Sequence, residues 1–260
     1  MIMAYRLVKT LVAAIAATGF ALGAAQAAGG GKELKSVDWS HAGPFGTYDR
    51  AAVQRGFQVY NEVCAACHSL KYIAFRNLME VGFSEDQAKA IAAEKTVIDG
   101  PNNDGEMFER PARLSDRYPS PFPNAKAAAA GFGIAPPDLS LMSKARPHGD
   151  DYIYTLLIGY DEKPDAEMES KLESGGNYNP WFPGEVIAMA APLLGEDVEY
   201  VDGTKATVEQ QARDVTVFLA WAAEPKMEER KQMGVKVILF LIFLSILLYL
   251  AKKRIWGRLH

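Results

Sequence analysis

The sequence predicts a mostly α-helical domain with long irregular loops, followed by one C-terminal transmembrane helix. Three observations predict it. Apolar residues recur at helical spacing behind recognisable caps, and no alternating pattern is strong enough to propose a substantial sheet. One apolar run close to the C-terminal end, 235–251, is long enough to cross a bilayer. Turn signals crowd the spaces between the helices, among them Gly100-Pro101-Asn102-Asn103, Tyr118-Pro119-Ser120-Pro121-Phe122-Pro123, Pro136-Pro137-Asp138 and Asn179-Pro180-Trp181-Phe182-Pro183-Gly184.

In chain order, 1–27 reads as a signal peptide. Arg6 and Lys9 occur without an acid, an Ala-rich apolar stretch follows, and Ala25-Gln26-Ala27 supplies a cleavage site near Ala27. The whole chain holds 28 basic and 32 acidic residues, and loss of the leader removes two of the bases and leaves a net charge of −6. An acidic domain of this kind points away from nucleic acid and toward basic partners.

The domain itself is expected over 28–225. A first helix is predicted over 49–68, capped by Asp49, with Val53, Gly56, Phe57, Tyr60, Val63, Cys64 and Cys67 on one face. Ser84-Glu85-Asp86-Gln87 is a capping-box pattern opening a helix over 84–98, and a further helix over 150–158 is stopped by Gly159. Thr207-Val208-Glu209-Gln210 opens the last domain helix, whose apolar positions Val208, Ala212, Val215, Phe218, Leu219 and Ala222 run until Glu224-Pro225 ends it. The first and last helices are expected to cross, with Gly56 permitting close approach to Phe218 or Trp221. A charged linker, 226–234, then leads to the transmembrane helix, 235–251, and to a tail, 252–260. Lys252, Lys253, Arg254 and Arg258 in that tail place it in the cytoplasm, with Trp256 as an interfacial anchor.

The chemistry is concentrated in Cys64-Ala65-Ala66-Cys67-His68. Two thiols at this spacing suit addition to the two vinyl groups of a porphyrin, and the adjacent imidazole falls under the iron as an axial ligand, the pattern of c-type haem attachment. A zinc site fails on arithmetic, because the chain has two cysteines and no His-x3–5-His partner. A thioredoxin-type disulfide needs a βαβ setting, whereas the flanks read helical. One covalent haem c also explains the irregular chain, since a large apolar cofactor supplies the core that extended segments wrap. For the second axial ligand, spacing alone leaves Met142 and Met189 level.

Long, ordered segments carry a family resemblance over 48–254. They include Arg55-Gly56-Phe57-Gln58-Val59-Tyr60 before the haem motif, Gly100-Pro101-Asn102-Asn103-Asp104-Gly105-Glu106-Met107-Phe108 and Pro136-Pro137-Asp138-Leu139-Ser140. Asn179-Pro180-Trp181-Phe182-Pro183-Gly184, Ile187-Ala188-Met189-Ala190 and Phe218-Leu219-Ala220-Trp221-Ala222-Ala223-Glu224-Pro225 complete them. In these the chain resembles the cytochrome c1 family, the haem subunits of the ubiquinol:cytochrome c oxidoreductase (cytochrome bc1) complex. The resemblance implies a cytochrome c-like haem domain. It places the axial methionine at Met189, the arginine that meets a haem propionate at Arg146, and a haem-pocket tyrosine at Tyr152. It also implies electron transfer from a Rieske iron-sulfur subunit to a soluble cytochrome c, with cytochrome b as membrane partner and no independent catalysis by this subunit.

The leader favours a bacterial inner membrane, with one membrane pass and the haem domain in the periplasm. The cysteine pair that braces the methionine side in some bacterial members is missing, so packing alone is expected to hold the segment around Met189. The competing readings are a free-standing membrane-anchored cytochrome c and a haem peroxidase with an open sixth position.

Overall fold

The structure, a computed structural model, describes residues 32–173 and 175–258; the expected signal peptide lies outside the described residues. Helix α1 (Arg50–Glu62) starts where Asp49 accepts hydrogen bonds from Ala51 N and Ala52 N, and it buries Val53, Gly56, Phe57, Val59 and Tyr60. It ends before the haem motif: a separate 3-10 turn, Cys64–Ala66, begins with Cys64 and is capped at its end by Cys67. A longer 3-10 segment, Phe75–Val81, leads to α2 (Glu85–Ala93), which opens with the expected capping box of Ser84 and Gln87.

The helix predicted over 84–98 stops early. Thr96–Asp99 is strand β1, antiparallel to β2 (Phe108–Pro111), with Val97 opposite Arg110. The β-branched run Thr96-Val97-Ile98 prefers a pleated backbone, and Arg110 secures the hairpin through Asp99 at 2.5 Å and Asp116 at 2.6 Å.

Then come α3 (Ala125–Phe132), α4 (Met142–Ala145) and α5 (Gly149–Leu157), the last followed by a 3-10 turn at Gly159–Asp161. Helix α6 (Ala166–Leu172) precedes a second small ladder, β3 (Asn177–Tyr178) against β4 (Val186–Ile187). Helix α7 (Val208–Ala223) is capped by Thr207, which accepts from Gln210 N, and nearly every residue from Gln211 to Ala223 is buried.

Helices α1 and α7 form the main packing contact of the domain. A β-carbon on Gly56 would sit 2.0 Å from the Asp214 carbonyl oxygen and 2.8 Å from Phe218 Cβ, so the crossing is open only to glycine. Phe57, Tyr60, Phe218 and Trp221 interlock around it at ring separations of 5.6–5.8 Å. Arg55 adds a bidentate bond to the buried Asp214 at 2.8 and 3.1 Å. Helices α4 and α5 pack on another part of α7, so the loops that carry function hang from one buried helix.

Helix α8 (Met227–Trp256) runs unbroken for 30 residues, about 45 Å at ~1.5 Å per residue. Its apolar stretch, 235–251, is exposed on all sides and is long and apolar enough to cross a membrane. The segment 226–234, expected as a linker, belongs to the same helix from Met227 onward and is bound to the domain. Glu228 accepts from Tyr48 N and Arg50 Nη2, each at 2.8 Å, and Lys231 Nζ donates to the carbonyls of His41 at 2.7 Å and Gly46 at 3.0 Å. A chain ending after Gly234 is therefore expected to remain folded without the membrane segment. One ending after Glu229 loses the Lys231 bonds and should unfold about 1–3 kcal/mol more easily in urea; equal stability of the two would mean that Lys231 contributes nothing.

Candidate haem site

Two groups of predicted site residues emerge, each held by its own set of bonds. The first is the pentapeptide. In the 3-10 turn the amides of Cys67 and His68 both donate to the Cys64 carbonyl, at 3.1 and 2.8 Å, and both thiols are free and half-buried. Burial, reinforced by Cys67, pushes the Cys64 thiol up to about 12.

His68 lies 2.8 Å, through Nδ1, from the Pro137 carbonyl oxygen. A carbonyl only accepts, so Nδ1 holds the proton and donates, and Nε2 presents a lone pair suited to a metal. Burial also lowers the His68 pKa and favours the neutral ring. The residues that support Pro137 were not recognised as such in the sequence. Asp138 accepts from Ser69 Oγ at 2.7 Å and from the amides of Lys71 and Ser140 at 3.0 Å, and Leu139 N donates to Ser69 O at 2.9 Å. The Pro136-Pro137-Asp138-Leu139-Ser140 segment is thus bonded along the chain that follows His68, and its Pro-Pro-Asp pattern, read at first as a turn, was the available signal.

Burial would raise the Asp138 pKa, but the donors from Lys71, Ser140 and Ser69 outweigh it, and the carboxyl lies below its ordinary value of 3.8. Its contribution to stability is therefore present above that value and disappears as pH falls through the depressed folded-state value. Asp138→Asn is expected to destabilise the domain by about 1–2 kcal/mol at neutral pH. Denaturant titrations should find variant and parent converging in acid, and a gap that persisted there would exclude the carboxylate as its source.

The second group lies along α5 and the segment leading to Met189. Arg146 is exposed just before α5 and Tyr152 is half-buried on it. Burial raises the Tyr152 pKa, while the nearby Arg146 guanidinium acts in the opposite direction, which places the two side chains together. Met189 is half-buried after β4, and its carbonyl accepts from the Tyr160 hydroxyl at 3.1 Å. Asn179 holds the preceding turn to α5, donating to Leu156 O at 2.8 Å and accepting from Trp181 N at 3.2 Å. Gly159 lets the Trp181 ring approach, since a β-carbon there would lie 2.5 Å from it. Packing is therefore not alone in holding the segment around Met189; side-chain hydrogen bonds from Tyr160, Asn177 and Asn179 share the task. A cleft of about 400 Å³ opens beside it, lined by Phe132, Ile134, Asn177, Val186 and Ala188. Met142, the other methionine left open by spacing, packs against the domain core.

Among the described residues no cluster of three or more His, Cys, Asp or Glu forms a metal cage. The donor set fits an iron that arrives in a porphyrin: two thiols one turn apart, an imidazole with Nε2 bare, a thioether, and a guanidinium suited to a carboxylate.

The sequence profile of the Cytochrome C1 family matches residues 39–259. The chain belongs to that family. It is 48% identical to a cytochrome c1 of Rhodospirillum rubrum, in an alignment covering 94% of this chain and 96% of that protein. It is 48% identical to a mitochondrial cytochrome c1 haem protein of Saccharomyces cerevisiae, across 87% of this chain and 73% of that one. A cytochrome b/c1 of Bradyrhizobium diazoefficiens is 46% identical across 96% of this chain and 40% of its own length. As a cytochrome c1 family member the chain works in electron transfer with a c-type haem, and its mostly helical domain with one long apolar C-terminal helix agrees with the fold expected from the sequence.

Proposed function

We propose that this chain carries one haem c, bound covalently through Cys64 and Cys67, with His68 Nε2 and Met189 Sδ as axial ligands. In this reading it is the electron-transfer subunit of a cytochrome bc1 complex, taking one electron from the Rieske iron-sulfur subunit and passing it to a soluble cytochrome c beside cytochrome b. The haem supplies a one-electron couple when bound. The observation that carries the reading is the Pro137 carbonyl on His68 Nδ1, which fixes the ring and leaves Nε2 as the nitrogen that would bind iron.

The protein's own residues do the remaining work. Burial keeps the His68 ring neutral, and the Nδ1 bond to Pro137 aims it. Tyr160 and the Asn179 turn keep Met189 close to α5. Arg146, beside Tyr152, offers its guanidinium to a propionate. No group is required to transfer a proton, and catalysis belongs to the complex. The apolar stretch of α8 anchors the subunit in a bacterial inner membrane, with the haem domain in the periplasm and 252–260 in the cytoplasm, as its basic cluster favours.

Two acidic segments, 161–173 and 196–202, suit a basic cytochrome c, but the fold already uses part of them. Asp165 caps α6, Asp197 accepts from Gln211 at 2.6 Å, and Asp202 pairs with Arg55 at 2.8 Å. Glu169, Glu173 and Glu199 are exposed and take no part in those bonds. Replacing these three with glutamine is expected to slow electron transfer to a basic cytochrome c several-fold at low salt and to flatten its salt dependence. Stopped-flow rates over a range of ionic strength would test this, and an unchanged rate and slope would remove the docking role.

The subunit reading itself is tested by detergent extraction and affinity isolation of the tagged full chain from its native membrane. Cytochrome b and a Rieske protein are expected to accompany it. Recovery of the chain alone in haem-loaded form would favour the free-standing cytochrome instead.

A further inference from the structure

Away from the haem ligands, one loop is closed on itself, fastened to the root of α8 and left uncovered at its tip. Thr47 N donates to Ser40 O at 3.0 Å and Ala42 N to Trp39 O at 2.9 Å, which pinches 40–47 shut. Gly46 passes so close to the other arm of the loop that a β-carbon there would lie 2.0 Å from Ala42 O. Lys231 Nζ ties the loop to α8, donating to the carbonyls of His41 at 2.7 Å and Gly46 at 3.0 Å, and Glu228 accepts from Tyr48 N at 2.8 Å. The tip, Ala42-Gly43-Pro44-Phe45, is exposed throughout, and Phe45 presents 80% of its surface. From Ala42 to Tyr48 no side chain is charged, in a sequence of which 23% is charged, so the tip is not the polar turn that solvent alone would favour.

We propose that this tip rests on the bilayer with Phe45 inserted among the lipid headgroups, which gives the haem domain a second membrane contact beside α8. This rests on the reading that the stretch 235–251 of α8 spans the bilayer. A bilayer of ~40–45 Å has a hydrocarbon core of ~30 Å, which leaves about 5–7 Å of interface on each side. Lys231 lies four residues before Val235, about 6 Å along the helix. It therefore stands within that interface, and the loop bonded to its ammonium group shares the level.

The form of the tip suits lipid. Its one large side chain is an aromatic ring, Ala42, Gly43 and Gly46 are small, and Pro44 has no amide hydrogen, so few polar groups are desolvated when the ring enters. The loop is already ordered by its own bonds and by Lys231, so insertion fixes little further chain. A stable protein interface buries ~800 Å² on each partner, far more than a four-residue tip presents. A single ring entering a bilayer surface needs no such area.

The test uses the haem-loaded full chain in nanodiscs of phosphatidylethanolamine and phosphatidylglycerol. With both native thiols taken up by haem, Phe45→Cys supplies a single thiol for a nitroxide label. Collision of the label with oxygen, which concentrates in lipid, against collision with a water-soluble nickel chelate reads its depth. Leu239→Cys, on the exposed apolar stretch of α8, is the bilayer reference. Glu209→Cys is the water reference, exposed at the start of α7 and about 21 Å along that helix from Ala223. The label at position 45 is expected to show an oxygen-to-nickel ratio several-fold above that at 209 and below that at 239. A ratio equal to that at 209 overturns the proposal, and shielding that then arises only in the assembled complex would assign the tip to a protein partner. If F45C holds no haem, Ala42→Cys at the same tip decides by the same comparison. Failure of the underlying reading would look different, as a label at 239 no less open to the nickel chelate than one at 209.

Discussion

Replacing Met189 with leucine is expected to leave haem attached through Cys64 and Cys67 but to open the sixth coordination position and lower the potential. The physical reason is that a thioether stabilises ferrous iron, and axial ligands as a class move haem potentials over a range of ~0.8 V. The expected fall is on the order of tenths of a volt, enough to cripple electron acceptance from a fixed donor. The fold should survive, since leucine and methionine have similar volumes and the exchange costs less than about 1.5 kcal/mol at a half-buried position. The bonds from Tyr160 and Asn179 to that region are to backbone and are untouched. Carbon monoxide binding to the reduced protein checks the prediction. A variant that excludes the gas and keeps the parent's potential would mean that another side chain, Met142 first among them, is the ligand.

The largest effect on stability is expected from Gly56→Ala. The added carbon would lie 2.0 Å from the backbone oxygen of Asp214, which neither helix yields without separating. Alanine gains about 1 kcal/mol over glycine in helix propensity, but the clash lies at the main contact of the domain and reaches Asp214, Phe218 and the rings beyond. A net loss of about 3 kcal/mol or more follows from overpacking of this kind. Gly131→Ala is the matched control, because a β-carbon there meets nothing within 4 Å and α3 is otherwise rich in alanine. Thermal unfolding of the haem-loaded proteins should show G56A far below the parent and G131A level with it or above. Equal midpoints for G56A and the parent would mean that the helix crossing is looser than described.

What could be read from the sequence divides along physical lines. The capped helices were legible because both signals are local: Asp49, Ser84 and Thr207 accept the bonds their patterns foretold. Gly56 was legible as well, since a glycine on the buried face of a helix has few other uses. The hairpin of Thr96–Asp99 with Phe108–Pro111 was not, because its pairing partners are separated by a turn and its strands are too short to show alternation. The role of 226–234 was hidden for a different reason. Its charges look like a solvated linker in one dimension, and only the fold brings Glu228 and Lys231 to Tyr48, His41 and Gly46.

In the site, the pentapeptide announced its chemistry through spacing alone. The support for His68 came instead from Pro137, 69 positions away, and long-range backbone acceptors leave no mark on composition. Arg146, Tyr152 and Met189 came from family resemblance. The structure explains how two of them are held, through the contact between Arg146 and Tyr152, and it places Met189 under the Tyr160 hydroxyl.

The central claim is that one haem is bonded to both cysteines and held by the neighbouring histidine. It is tested most directly by mass spectrometry of the tryptic peptide spanning 56–71, from full-length protein expressed in a host that attaches haem c. That peptide contains Cys64, Cys67 and His68 between the cleavage sites at Arg55 and Lys71. The expected result is a single species heavier by one haem, with neither thiol open to alkylation. Recovery of the peptide from membrane-assembled protein with both thiols alkylated and no haem would contradict the account.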